Sequence, residues 1–368
     1  MKNLAALRAL ESLPKVPAPV VTGFDGFVDE MISVVAERTS LDHFSQVPDI
    51  ATFGGMISAA AGHSSLREIV VNAVHPGGCA VNLGDGLAAL GVPVECFATL
   101  GEPMHPAFSE PASRFRKAIS WGREPGRTLA FEFSDGKLMF SSVKQLEEFT
   151  PQDISLRLGG GVYQSSCLEA AIIALTDWSL YPHMTAVWRL LQHDVYSKLT
   201  HRPHFFIDLV DPSSRSAADI LAMVDTLPFL ETCGPVTLGL NGNEANILAQ
   251  LLGLEPAQEE EDSMRLAAGL RTKSGVSTIV IHNLKFAASA GSGGGFSTQG
   301  PFCERPLKST GAGDRFNAGY CLGLLAVAAP EVCLSLGCAA SGFFVRNAHS
   351  PSRSELAEFM KQWAAGTV

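Results

Sequence analysis

With 368 residues, 46 % hydrophobic against 17 % charged, the chain can bury one large core and is too apolar for a disordered or tail-bearing protein. A formal net charge of −10 excludes electrostatic capture of nucleic acid or of an anionic membrane, which needs clustered Lys and Arg. Eight scattered cysteines with no Cys-x-x-Cys pair exclude a disulfide framework or zinc site and read as reduced, buried thiols.

The start, Met1 to Arg8, is too charged for a signal peptide, and no stretch reaches the roughly 20 apolar residues of a membrane span. A cytoplasmic protein is expected. Residues 4–12 carry a helical pattern, and Pro14, Pro17 and Pro19 lead into a short strand at Val20-Val21-Thr22. Gly23 and Gly26 end that strand, with Asp25 and Asp29 at its exit. Residues 42–66, rich in Gly and Ala, read as helix plus loop, and Arg67–Ala73 alternates as a strand does. Gly77-Gly78 opens a helix with an apolar face at Val81, Leu83, Leu87 and Leu90, which Gly91 and Pro93 close. A strand follows at Val94–Leu100. Thr128–Phe140 reads as a hairpin, with Leu129, Phe131 and Phe133 alternating and Asp135-Gly136 at the turn.

Short apolar runs at Ala170–Leu175, Phe205–Leu209, Val236–Leu240 and Thr278–His282 then alternate with helical stretches at 184–196, 216–227, 243–252 and 262–272. That alternation predicts an α/β fold: a mostly parallel sheet with helices on both faces. Gly291–Gly295 reads as a hairpin or loop tip, and helices at 331–346 and 352–364 end the chain.

The most telling run is Ser309-Thr310-Gly311-Ala312-Gly313-Asp314. Its two glycines allow a tight turn whose N–H groups point one way, and Phe316, Tyr320 and Leu324 continue it as a helix. A turn that opens a helix is an anion cradle suited to phosphate, and Asp314 at its lip is placed to act as a base. Capping alone also explains an aspartate there. Two other segments add to the signal. Gly77-Gly78 lets backbone approach a ligand, and Asn82, one turn on, offers a donor and an acceptor to a hydroxyl. Asn241 and Glu244 follow the Val236–Leu240 strand, where doubly wound sheets bind ligands, and also fit a helix cap. The histidines show no metal-ligand spacing.

The Gly-Gly-x-x-x-Asn at 77–82, the Asn-x-x-Glu at 241–244 and the Gly-Ala-Gly-Asp at 311–314 occur in the order found in the ribokinase-like, phosphofructokinase-B-type carbohydrate kinases. The chain resembles that family over about residues 20–350. The resemblance implies a three-layer sandwich with a small β lid, formed by the 128–140 hairpin with strand 67–73. It divides the chain into a core of 1–30, 68–126 and 142–368, with 31–67 and 127–141 as lid and inserted segment. It also implies ATP-dependent phosphorylation of a hydroxyl of a sugar or sugar-like substrate. Asp314 would be the base and the N–H groups of Gly311, Ala312 and Gly313 an anion hole. Gly77, Gly78, Asn82 and either Asp25 or Asp29 would hold the substrate. Asn241, Glu244 and Thr310 would sit in the nucleotide and Mg²⁺ shell, with no direct protein ligand to the metal. Asp208 and Arg215 resemble a further strand-end pair of the family, with structural support an equal reading.

Lys308 departs from the family pattern, where an Asp at this place often helps to bind a monovalent cation. It predicts activity independent of K⁺; a large rise in rate when K⁺ replaces a bulky organic cation would refute this. Two further readings are a non-catalytic sugar- or nucleotide-binding regulator on the same fold, and a nucleoside kinase. A dinucleotide-dependent oxidoreductase is disfavoured because the first strand lacks a Gly-x-Gly-x-x-Gly. Expected partners are a small-molecule sugar and ATP, with no nucleic acid or membrane, and a homodimer through the lid.

Overall fold

The protein is described by a computed structural model covering residues 2–14 and 17–368. Strand β1 (Val20–Gly23) is buried along its whole length and lies inside a large sheet. The chain then leaves that sheet to form β2 (Phe27–Arg38), β3 (Phe44–Gln46) and β4 (Ile69–Gly77) of a second, smaller one. It returns for β5 (Val94–Ala98) and β6 (Lys117–Ser120), and crosses again for β7 (Gly126–Phe133) and β8 (Gly136–Ser142). The remainder adds β9 (Ile172–Thr176), β10 (His204–Asp208), β11 (Val236–Asn241), β12 (Thr278–His282), β13 (Phe286–Gly291) and β14 (Gly294–Gln299) to the large sheet.

The order in the large sheet is β14-β13-β12-β11-β10-β9-β1-β5-β6. Every pair from β12 to β6 is parallel, and only β13 and β14 run antiparallel at one edge. Such strands are covered on both faces, so their side chains alternate between two cores. Val21, Phe205 and Ile207 enter one core with Trp178 and Trp188, while Val20 and Phe206 enter the other. The helices Cys79–Ala89, Ala312–Leu325 and Pro330–Asn347 cover that second face.

The α/β sandwich expected from the alternation is therefore present, and the small sheet stands apart from it. In it β2 is central, with β4 antiparallel on one side and β7 parallel on the other. This differs from the sequence division. That division gives residues 27–30 and 68–77 to the core, but β2 begins at Phe27 and β4 hydrogen-bonds to it as far as the Phe27–Gly77 pair. The segment 31–67 is not a separate insertion, since its first residues continue β2, followed by β3 and the helix Ile50–Ala59. All eight cysteines are free thiols, and six are buried. Among the described residues no helix is long and apolar enough to cross a membrane.

Candidate active site

The carboxyl ends of β1, β9, β10 and β11 converge with the amino ends of two helices. Asp25, in the turn after β1, is 1 % exposed. Its carboxylate accepts from the N–H of Cys79 and Ala80 at the start of the Cys79–Ala89 helix, and from the Thr176 hydroxyl. Burial raises its proton affinity and these bonds oppose that. Both of its oxygens are thus engaged in capping a helix. Gly78 leads into that helix at φ 95, and a Cβ there would lie 2.7 Å from the Asp25 carbonyl oxygen.

Asp29 lies instead on β2 and faces Gly77, where a Cβ would fall 2.5 Å from its carboxylate. It is 9 % exposed; burial raises its pKa, and the neighbouring Thr128, His75 and Lys308 hold it down. Of the two aspartates that the sequence left open, this one has a carboxylate directed at the glycine pair.

Gly311, at φ 87, caps the Ala312–Leu325 helix. The Ala312 N–H closes the turn on the Ser309 carbonyl at 3.1 Å, whereas among the described residues the N–H groups of Gly311 and Gly313 have no partner. Two of the three expected donors are therefore unpaired, and Thr310 lies half-buried just before them. Asp314, 7 % exposed, has its pKa pushed up to about 8, first by burial and then by Asp208, with Arg315 and Cys79 acting against the rise. One helical turn on, Asn317 donates from Nδ2 to Asp208 at 2.6 Å, so one helix face carries Asp314 and secures its acidic neighbour. Asp208 also accepts from the Val210 N–H at 3.0 Å and is raised to about 6.

Asp177, which the sequence reading missed, completes the acidic cluster. It follows β9 directly at φ 51, its N–H donates to the Asp208 carbonyl, and its carboxylate accepts from the Leu180 N–H. Burial first and Asp25 second raise its pKa well above the ordinary range. A signal existed in the Thr176-Asp177 pair at the carboxyl end of a parallel strand, the same location that singled out Asn241 and Glu244. Buried carboxyl groups packed this closely favour a ligand that donates hydrogen bonds, as a polyol does.

Asn241 and Glu244 form a capping box: each N–H reaches the other's side chain, at 2.8 and 2.9 Å, and Asn241 Nδ2 donates to Glu244 at 2.7 Å. Glu244 is buried and raised to about 8, by desolvation before the charges of Asp208 and Asp211. The cap read from sequence is real. Because the two side chains already hold each other, they fit a hydrated Mg²⁺ met through its waters better than one stripped to protein oxygens. Cys79, Asp208 and Asp314 offer ligand atoms within 4.8 Å of one another, but burial keeps the thiol protonated, which suits no hard cation. Arg215 is placed elsewhere, over the Trp178 ring and against backbone carbonyls, and is structural.

Two cavities flank the turn. One, of about 430 Å³, is largely apolar and runs past Asn241, His282, Phe302, Gly313 and Val345. His282 there is half-buried, its pKa lowered to about 4 by desolvation, and its ring lies next to Gly313. The other, of about 320 Å³, is polar, with Asn82, Lys308 and Arg315 on its walls.

Solved structures similar to this one include a carbohydrate kinase from Agrobacterium tumefaciens and a ribokinase from Thermotoga maritima. Each has a TM-score of 0.63 at 15 % identity, covering 94 % of this chain and 97 % or 99 % of the other. A nucleoside kinase from Methanocaldococcus jannaschii has a TM-score of 0.61 at 15 % identity, covering 94 % of this chain and 98 % of its own. At that identity they establish the fold. A ketohexokinase from Haloferax volcanii is 28 % identical over 360 residues, which is 96 % of this chain and 94 % of that one. Fold, site and relatives together define a ribokinase-like carbohydrate kinase. The family model of prokaryotic ketohexokinases matches residues 2–363, and the chain belongs to that family.

Proposed function

We propose that this kinase transfers the terminal phosphoryl group of ATP to a hydroxyl of a free ketohexose, with Asp314 as the general base. The observation that carries the reading is Asp314 itself. It is buried in the first turn of a helix whose opening has unpaired N–H groups and whose Ala312 and Gly313 line an apolar cavity sized for a nucleoside. Asp29, Gly77, Gly78 and Asn82 would hold the sugar. Asp177 would take a further hydroxyl, while Asp25 would keep the Cys79–Ala89 helix in place.

The attacking oxygen gives its proton to Asp314 as its bond to the γ-phosphorus forms. The bond from that phosphorus to the β–γ bridging oxygen breaks, and its electron pair leaves with ADP. The N–H groups of Gly311 and Gly313 lie where charge grows on the phosphoryl oxygens. Asn241, Glu244 and Thr310 would orient the waters of a Mg²⁺ bound with the nucleotide, which would supply charge neutralisation. Lys308 makes K⁺ unnecessary in this reading. The small sheet would close over the sugar and exclude water. Its exposed Ile69, Val71, Met139 and Phe140 would be covered by a second copy.

A coupled ADP-release assay across free ketohexoses, aldoses, sugar phosphates and nucleosides tests the substrate. Turnover confined to nucleosides would overturn the ketohexose assignment. Asp314→Asn should cost about 1,000-fold or more in kcat while nucleotide affinity stays within about twofold. Equal loss of both would reduce Asp314 to a cap.

A further inference from the structure

Arg315 follows Asp314 directly and is 7 % exposed, an uncommon degree of burial for a guanidinium. It is held from three sides. Nη2 donates to Asp85 at 2.9 Å, Nε donates to Ser350 at 3.1 Å, and the guanidinium lies 4.5 Å from the centre of the Phe344 ring. Ser350 donates to the same Asp85 oxygen at 2.8 Å, and Arg114 pairs with the other oxygen. One nitrogen is left. Nη1 faces the catalytic turn, and its contact to the Gly311 carbonyl is a long 3.5 Å. The point where a Cβ of Gly311 would stand is 2.7 Å from Arg315 Nη1, 3.7 Å from Asn82 Nδ2 and 3.7 Å from Asp314 Oδ2. A guanidinium, an amide and the carboxylate thus converge on the side of the turn that faces the polar cavity.

Lys308 adds a second cation to that cavity. It is half-buried over Phe344 and has no carboxylate at ion-pair distance among the described residues. Burial first, then the like charges of Arg315 and Lys137, lower its pKa. Asp85 is already shared by two arginines and a serine, so it cannot fully offset a third cation. The cavity wall also carries Arg114, which pairs with Glu110 as well as Asp85, and Asp29 acts on Lys308, so three cations meet two lining carboxylates and the positive charge left over is relieved by an anion.

We infer that Arg315, with Lys308 and Asn82 beside it, forms a side-chain wall of the phosphoryl site, touching the group as it passes from nucleotide to acceptor. This rests on the reading of Asp314 and the turn as the place of transfer. As the acceptor oxygen bonds to the γ-phosphorus and the bridging oxygen leaves with its electron pair, the guanidinium opposes the negative charge on the phosphoryl oxygens. Arg315 also acts on the base. Asp314 is faced by Asp25 from the β1–β2 turn, Cys79 from its helix, Asp177 from the end of β9, Asp208 from β10 and Glu244 from the helix after β11. All of the acids among these favour its protonated form, and Arg315 favours the ionised one.

The test compares binding of ADP with binding of a non-hydrolysable ATP analogue that carries the γ-phosphate, by calorimetry on the full-length protein. Arg315→Met should weaken the analogue about tenfold and leave ADP within about twofold, because only the analogue reaches the wall. It should lower kcat about 100-fold with acceptor KM little changed, and move the acidic limb of kcat/KM to higher pH. Arg315→Lys should restore the position of that limb while recovering only part of the analogue affinity, since the charge returns without the fork. Lys308→Met, in a loop and half-exposed, should show the same contrast between analogue and ADP even if the Arg315 variants fold poorly. Equal weakening of ADP and analogue, or an unmoved limb, would overturn the inference. A fully active Asp314→Asn would instead defeat the base assignment and leave the nucleotide contrast standing.

Discussion

Asp25 and Asp29 stand four residues apart and meet different neighbours. Asp25 satisfies two helix N–H groups and a hydroxyl, whereas Asp29 faces Gly77 from a strand of the small sheet. Asp25→Ala should therefore act on stability, lowering it by about 1–3 kcal/mol as those donors lose their acceptor. Asp29→Asn should leave the melting temperature nearly unchanged and raise the acceptor KM about tenfold, the loss of one charge-assisted hydrogen bond. Thermal unfolding and acceptor kinetics on both variants settle it; a raised KM with unchanged melting in Asp25→Ala would reverse the assignment. Spacing along the chain does not separate these two, because the turn between them decides which carboxylate meets a helix.

The helix Ala312–Leu325 packs on Pro330–Asn347 along a line of small residues. A Cβ at Gly319 would collide with the Leu336 carbonyl oxygen, and one at Gly323 would lie 2.8 Å from Cys333. Close backbone approach at this seam sets where the first turn of the helix, and so Asp314, points. Gly319→Ala improves helix propensity in isolation, yet here it should cost about 1–3 kcal/mol in a denaturant titration by forcing the helices apart. A gain in stability would show that the seam has room to spare. Elements with a clear period were legible in sequence: the helix after Asp314, the strands β9 to β12 and the 128–140 hairpin all stand where the pattern put them. β2 was not. Its burial runs unbroken over Phe27–Asp29 and again over Ile32–Val35, without the alternation that marks a half-exposed strand.

At the scale of the whole molecule, the large sheet gathers acids that are far apart in sequence. Asp314 and Glu244 are raised to about 8 and Asp208 to about 6, by burial before mutual repulsion. In the unfolded chain these groups titrate near 4. Between those values the folded protein holds protons that the unfolded chain has lost, so stability present at low pH declines as pH rises through about 6 and about 8. Without ligand, the melting temperature should fall between about pH 4 and about pH 8, and fall less in Asp314→Asn. A melting temperature that rose over this range would contradict the buried cluster.

The sequence by itself determined the kind of protein: the period of its elements dictated a parallel sheet between helices, and the glycine turn before Asp314 set apart a helix start of the kind that suits a phosphate. Those are local properties, written in the spacing of apolar residues and in backbone that only glycine adopts. Tertiary structure alone decided that Asp25 caps while Asp29 faces Gly77, that Asp177 joins the buried acidic cluster, and that Arg315 turns toward Gly311. Each of these depends on contacts between segments far apart in the chain, such as Asp25 with Cys79, Asp177 with Asp208, and Arg315 with Asp85. Only the packed core brings them together.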